Sequence, residues 1–187
     1  MIERVETDRL ILRFLDESDI YELIDYYNRN RKFLEPWEPR FADEFYTYEF
    51  QLRKLRYEKE LRDSGREYRY RVFKKEDPGK NIGNVAVSQI IRGVLQSAFL
   101  GYSIDEKENG KGIASEAIAR VIEISFNELN LHRLEANIIP SNSASIRVVE
   151  KLNFTKEGYS ENYCNINGIW QDHLRFAIIN PNYDDHR

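Results

Sequence analysis

Apolar residues along the 187-residue chain recur at two spacings, near 3.6 for helices and two for strands. Leu10-Ile11-Leu12-Arg13-Phe14 reads as a short strand. Asp16 then offers a helix N-cap, with Asp19 three residues on, before Ile20, Leu23, Ile24 and Tyr27 at helical spacing. Phe33-Leu34-Glu35-Pro36-Trp37-Glu38-Pro39-Arg40 cannot be helical throughout, because each proline disfavours the helical region at the residue before it. A stiff loop with an aromatic in its middle is expected there. Residues 46–63 are charged and helical in pattern, ending at Ser64-Gly65.

The period then changes. Tyr68, Tyr70 and Val72 alternate with Arg69, Arg71 and Phe73, and Asp77-Pro78-Gly79 signals a turn. Strands over 82–91 and 96–104, joined at Arg92-Gly93, complete an antiparallel meander. A glycine turn, a helix from Ala114 to about Leu129, a strand over 133–139 and a helix over 143–152 follow. Asn167-Gly168 between two apolar-rich runs predicts a final hairpin, since both residues tolerate the positive φ of a type I′ turn. The expected fold class is α+β: a mixed central sheet, antiparallel at first, flanked by helices. With no repeat, low-complexity tract or linker, residues 1–187 are expected to form one domain.

Charge narrows the function classes. Charged residues make up 32% of the chain, yet the net charge is only -4, with a pI near 5.6. That lacks the basic footprint of a nucleic-acid binder. The amino terminus carries Glu3, Arg4, Glu6, Asp8 and Arg9 and lacks the apolar core of a signal peptide, and no run reaches membrane-spanning length. Cys164 is the only cysteine, which fits a reducing compartment, and a cytoplasmic protein without membrane contact is expected. His132, His173 and His186 lack metal-ligand spacing, so no metal is expected. Arg53, Lys54, Arg56, Lys59 and Arg62, alternating with Glu58, Glu60 and Asp63, read as a solvated helix face or as contact with a large acidic partner.

The candidate chemistry lies in Asn109-Gly110-Lys111-Gly112-Ile113-Ala114-Ser115, between the strand ending at Ile104 and a helix with Ala114, Ala117, Ile118, Val121, Ile122, Ser125 and Leu129 on its buried stripe. Glycines at a helix entrance let backbone N–H groups turn outward, and the dipole adds about half a positive charge there. Such a turn suits phosphate oxygens, and Lys111 adds a cation. A bare flexible turn is the bland alternative. A dinucleotide fingerprint, Gly110-x-Gly112-x-x-Ser115 with Glu135 downstream, is the sharper one. Three features oppose it: the missing third glycine, the insertion of residues 105–109 after the strand, and the preceding meander.

With the segments that follow, this turn resembles the GNAT superfamily of N-acetyltransferases, whose pattern is Gln/Arg-x-x-Gly-x-Gly/Ala; Asn109 replaces the Gln or Arg. Pro140-Ser141-Asn142-Ser143-Ala144-Ser145, followed by Val148, Val149, Leu152, Asn153 and Phe154, is similar to the family's second cofactor segment. Asn153 stands at a glycine position, where asparagine is the next-best left-handed C-cap. Thr7-Asp8-Arg9-Leu10-Ile11-Leu12-Arg13, residues 33–40, residues 96–102, Leu131-His132-Arg133-Leu134-Glu135 and Asn167-Gly168-Ile169-Trp170-Gln171-Asp172-His173 resemble the ribosomal-protein-alanine N-acetyltransferase branch. The resemblance covers nearly the whole chain.

The resemblance implies acetyl-CoA as co-substrate and direct attack by an amine, so that proximity and orientation carry much of the rate. It places the acetyl carbonyl against strand N–H groups around Tyr102 to Ile104 and the pyrophosphate on Asn109, Gly110, Lys111, Gly112, Ile113, Ala114 and Ser115. Asn142 would hold the pantetheine amides and splay the two flanking strands. Val149 stands where the family usually has a proton-donating tyrosine; Ser145, one turn earlier, is a candidate donor or a cofactor hydrogen bond. Glu35 and Glu38 are candidate bases in a loop that walls the acceptor site, or solvated carboxylates. Trp37 either packs over the acceptor or plugs the core, and Tyr102 is a catalytic candidate if its face lines the cleft. Trp170, Asp172 and His173 are expected to lock the last hairpin, and Cys164 to pack. The acceptor is expected to be a protein N-terminus, with a polyamine or antibiotic as the small-amine alternative. A non-catalytic acyl-CoA sensor is the reading from another class. The oligomeric state is not readable, a homodimer being one option.

Overall fold

The expected antiparallel meander is part of one eight-stranded mixed sheet in the computed structural model, which describes residues 3–184. The elements are β1 (Arg4–Glu6), β2 (Leu10–Arg13), α1 (Ile20–Leu34), α2 (Tyr48–Asp63), β3 (Tyr68–Lys74), β4 (Asp77–Ile91), β5 (Ser97–Ile104), α3 (Ile113–Asn127), β6 (Arg133–Ile138), α4 (Ser143–Lys151), β7 (Thr155–Ile166) and β8 (Ile169–Ile179). Strand order is β1-β2-β3-β4-β5-β6-β8-β7, with β5 and β6 parallel and every other pair antiparallel.

Period-two alternation sends Leu10, Leu12, Tyr70, Val72, Val85, Val87, Ala98 and Leu100 to one face, where they pack on Ile113, Ala117, Ile118 and Val121 of α3. The other face lies under α1 and α2, with Leu23, Tyr26, Tyr27, Leu34 and Phe45 in a second cluster. Asn153 (φ 63°) and Asn167 (φ 53°) adopt the left-handed conformations expected of them. Asp16 and Asp19 form a reciprocal capping box, on a short 3-10 turn that leads into α1. Among the described residues no helix is long and apolar enough to cross a membrane. His186 lies outside the described residues.

Several local expectations need correction. The β3–β4 turn falls on Lys75–Glu76, because Lys74 pairs with Asp77 while Phe73 pairs with Asn81. Pro78 and Gly79 sit in that register shift, where a missing N–H costs no ladder bond. Helix α1 continues through Phe33 and Leu34, and Glu35 stays helical (φ -47°, ψ -40°) although Pro36 follows it. The Trp37 and Glu38 N–H groups both bond to the Leu34 carbonyl, at 2.8 and 3.2 Å, so the turn closes on the helix itself. Helix α2 starts at Tyr48, capped by Thr47, and α3 ends at Asn127, before Leu129.

The helix-face reading of α2 fails at Glu58 and Lys54. Glu58 is half-buried against β3, where Arg71, 1% exposed, donates to both its oxygens at 3.0 and 3.1 Å. Lys54 and Arg69 also face it. Burial alone would raise its pKa, but Arg71, Lys54 and Arg69 outweigh that and bring it down to about 2.

Candidate active site

Strands β5 and β6 pair only from Ser97 to Phe99, opposite Arg133 to Glu135. Beyond that, β5 continues with β4 to Ile104 and β6 with β8 to Ile138. The two strands therefore splay, and the β5 edge from Leu100 to Ile104 faces the gap without a strand partner. Such an edge offers backbone donors to a ligand. Asn142 caps α4 at the mouth of the gap, its side chain accepting from the Ser145 N–H at 3.1 Å. Its amide oxygen is thus engaged, leaving the NH₂ group for a ligand. The Tyr102 hydroxyl donates to the Ser145 carbonyl at 3.0 Å, tying β5 to α4. Burial pushes that phenol up to about 12, so it stays protonated at neutral pH.

A cleft of about 130 Å³ fills the gap. Its walls join four segments distant in sequence: Tyr102 and Ile104 from β5, Asn109 and Ala114 from the glycine turn, Asn142 and Ser145 from α4, and Trp37 and Glu38 from the loop. Val149 is fully buried in the core, and its neighbour Val148 lines the cleft instead. Trp37 is half-buried and separates the cleft from a second cavity that reaches His173.

Glu38 sits where cavities converge. It borders the cleft, an outer cavity of about 570 Å³ with Glu35, Arg40 and Asp43, and a cavity of about 310 Å³ with Lys54, Arg69 and Asn84 over β4 and β5. Burial raises its pKa, and Lys54 and Arg69 offset that only partly. Glu35 behaves differently. It is exposed on the outer cavity, and its backbone carbonyl accepts from the Asn167 side chain at the tip of the last hairpin. The two carboxylates, equivalent in the sequence, are thus separated by the fold. Behind the cleft, the Tyr26 hydroxyl and the Asn84 amide both reach the Ser103 hydroxyl, at 2.9 and 2.6 Å, bracing the β5 end against α1 and β4.

At the glycine turn, Gly110 (φ 73°) and Gly112 (φ 79°) are both left-handed, a conformation strained for other residues. A Cβ on Gly110 would meet nothing within 4 Å, and one on Gly112 would meet only Arg9 Nη2 at 3.5 Å, so space before the turn is open. Gly112 caps α3 without a side-chain acceptor, leaving the first N–H groups to a ligand. These features fit a pyrophosphate. Ile113 is buried in the core and can contribute only its backbone; Ser115 is half-buried in the first turn. Lys111 is exposed beside the turn, and its Nζ donates to Glu108 Oε2 at 3.1 Å.

The reading of single residues missed Arg9, which clamps this turn from behind and stood out only within a resembling segment. Its Nη1 donates to the Lys111 carbonyl at 3.0 Å, and its Nε donates to Glu116 at 2.7 Å. The expectation for the last hairpin holds in part: Asp172 accepts from the Tyr159 hydroxyl and from the Asn162 N–H, and His173 is buried. Trp170 pairs with Asn165 across the hairpin, but its side chain is 60% exposed. Cys164 is half-buried on β7, opposite Gln171. Among the described residues no group of three or more His, Cys, Asp or Glu is placed to hold a metal.

The chain matches the GNAT acetyltransferase domain over residues 9–155. It is 37% identical over 184 residues to the [ribosomal protein uS5]-alanine N-acetyltransferase of Escherichia coli (strain K12), covering 96% of this chain and 92% of that one. It superposes on the ribosomal-protein-S5-alanine acetyltransferase of Vibrio fischeri with a TM-score of 0.91 at 35% identity, covering 97% of this chain and 98% of that one. It is also similar to Mycobacterium smegmatis RimJ, solved in complex with CoA-disulfide (TM-score 0.85, 26% identity, 91% of this chain and 81% of that one). The splayed strands, glycine turn and capped α4 therefore have a family: the chain is a member of the GNAT acetyltransferases.

Proposed function

We propose that this protein transfers the acetyl group of acetyl-CoA to the N-terminal α-amine of a protein, in a ternary complex. The observation that carries this reading is Glu38: a carboxylate with a raised pKa, standing where the cleft meets two wider cavities. The glycine turn supports binding of the pyrophosphate by Gly110 to Ser115, with Asn109 at its outer edge. The unpartnered edge of β5 supports placing the thioester carbonyl near Tyr102 to Ile104, where backbone N–H groups stabilise the developing oxyanion. Glu38 takes the amine proton directly or through one water as the C–N bond forms. The C–S bond then breaks, and the thiolate takes a proton from the Ser145 hydroxyl, which solvent replenishes. Tyr102 braces β5 against α4 through the Ser145 carbonyl, and Trp37 walls the acceptor side. Glu35 serves the outer rim.

The cavity over β4 and β5 favours a peptide over a polyamine. Lys54 and Arg69 line it, and cations there oppose the second ammonium of a polyamine while suiting peptide carbonyls. An α-amine also has a pKa near 8 against about 10.4 for lysine, so it asks less of the base. A sensor would need no carboxylate beyond the thioester site. The reaction suits the cytoplasm, where a lone cysteine stays reduced. The test is thiol release from acetyl-CoA with peptides bearing free or blocked N-termini, alongside spermidine and aminoglycosides. Turnover on free N-terminal peptides alone supports the reading; turnover confined to the small amines contradicts it.

A further inference from the structure

Glu116 lies in the first turn of α3, four residues after the Gly112 cap, and its backbone N–H bonds to the Gly112 carbonyl at 3.1 Å. A carboxylate there interacts well with the helix dipole but competes with any phosphate brought to the same N–H groups. Arg9 answers that charge. Its Nε and Nη2 fork onto Glu116 Oε2 at 2.7 and 2.6 Å, and its own backbone N–H reaches Oε1 at 3.0 Å. The Thr7 hydroxyl donates to the same Oε1 and accepts from the Leu10 N–H at 3.0 Å, so the β1–β2 turn is fastened to α3. The remaining arm, Nη1, holds the Lys111 carbonyl at 3.0 Å. That carbonyl lies between the two left-handed glycines, and holding it back leaves the N–H groups of the turn facing the open side. The Arg9 side chain is half-exposed, and its Nη2 lies 3.5 Å from where a Gly112 Cβ would stand.

We propose that Arg9 is a positioning residue for the pyrophosphate of coenzyme A: it neutralises Glu116, so that the glycine turn presents its donors with no uncompensated negative charge behind them. This rests on the reading of the turn as the pyrophosphate site. Arg9 adds a specificity for the charged half of the co-substrate and none for the acceptor.

The experiment is calorimetric titration of coenzyme A into the wild type, Arg9→Gln, Glu116→Gln, the Arg9→Gln/Glu116→Gln double variant and Gly112→Val. Pantetheine, which lacks the pyrophosphate, is run in parallel as a competitor of thiol release. Arg9→Gln should weaken coenzyme A roughly five- to thirtyfold, the range of a charge at a helix terminus, and leave pantetheine unchanged. Adding Glu116→Gln should recover most of that loss, because the repulsion it unmasks is gone; a purely structural clamp would stay broken. Equal losses for both ligands, or no recovery in the double variant, would overturn the proposal. If Arg9→Gln fails to fold, Glu116→Gln alone decides: it should bind coenzyme A at least as tightly as wild type, and weaker binding overturns the proposal. Gly112→Val separates the two levels. Its binding coenzyme A normally removes the pyrophosphate site itself, whereas its failure beside wild-type affinity in Arg9→Gln removes only the role of Arg9.

Discussion

The Tyr102 hydroxyl on β5 donates to the Ser145 carbonyl on α4, 43 residues away, and so closes the floor of the cleft. A phenol engaged in this way and raised to about 12 is a brace. Tyr102→Phe should therefore cost about 0.5–1.5 kcal/mol of stability, the usual net worth of one hydrogen bond, and lower turnover by less than roughly tenfold. The shape of the pH–rate profile should not change. A loss of several orders of magnitude, or a vanished basic limb, would make Tyr102 the proton donor instead.

Glu58 supplies a stability prediction with a definite sign. Its folded pKa is depressed to about 2, so its stabilisation is present above the unfolded carboxylate pKa and lost as pH falls towards 2. Glu58→Gln strands Arg71 beneath α2 and should cost about 3–5 kcal/mol at neutral pH, as broken buried pairs do. Denaturation curves at several pH values should show the gap to wild type closing through the acid range. A gap that stays constant from neutral to acid pH would contradict the account.

Trp37 is half-buried between two cavities, so Trp37→Ala should destabilise by less than the roughly 3–5 kcal/mol of a fully buried tryptophan. Acceptor KM should rise or turnover fall, with coenzyme A affinity held within about twofold. Full core-like destabilisation with unchanged kinetics in the folded fraction would remove its role as an acceptor wall.

The sequence carried the β3-β4-β5 meander, the glycine turn and the final hairpin, because each rests on local chemistry: period-two alternation, left-handed glycines, and Asn167-Gly168. It did not carry β1, whose three residues include one apolar side chain, Val5. Arg71 and Glu58 were equally opaque, since an alternating arginine reads as solvent-facing until the helix covering it is known. The contrast between Glu35 and Glu38 was also hidden. Both flank a proline in one loop, and only the closure of that loop on the Leu34 carbonyl turns one inward. The contacts of Arg9 were hidden for the same reason: its partners Glu116 and Lys111 lie more than 100 residues away.

The central claim is that Glu38 accepts the proton of the attacking amine, and kcat/KM for a peptide acceptor against pH tests it most directly. Burial raises the Glu38 pKa, so the folded carboxylate ionises at a higher pH than usual for a glutamate, and stability falls as pH rises from the ordinary carboxylate range through that raised pKa. As pH falls, log kcat/KM for the wild type should drop first with slope one as the amine protonates. It should steepen to slope two as Glu38 does. Glu38→Gln should lose roughly a hundredfold or more in rate, keep slope one throughout, and melt at a higher temperature at neutral pH because no charge is buried. A variant that keeps the wild-type rate and the same steepening would contradict the assignment.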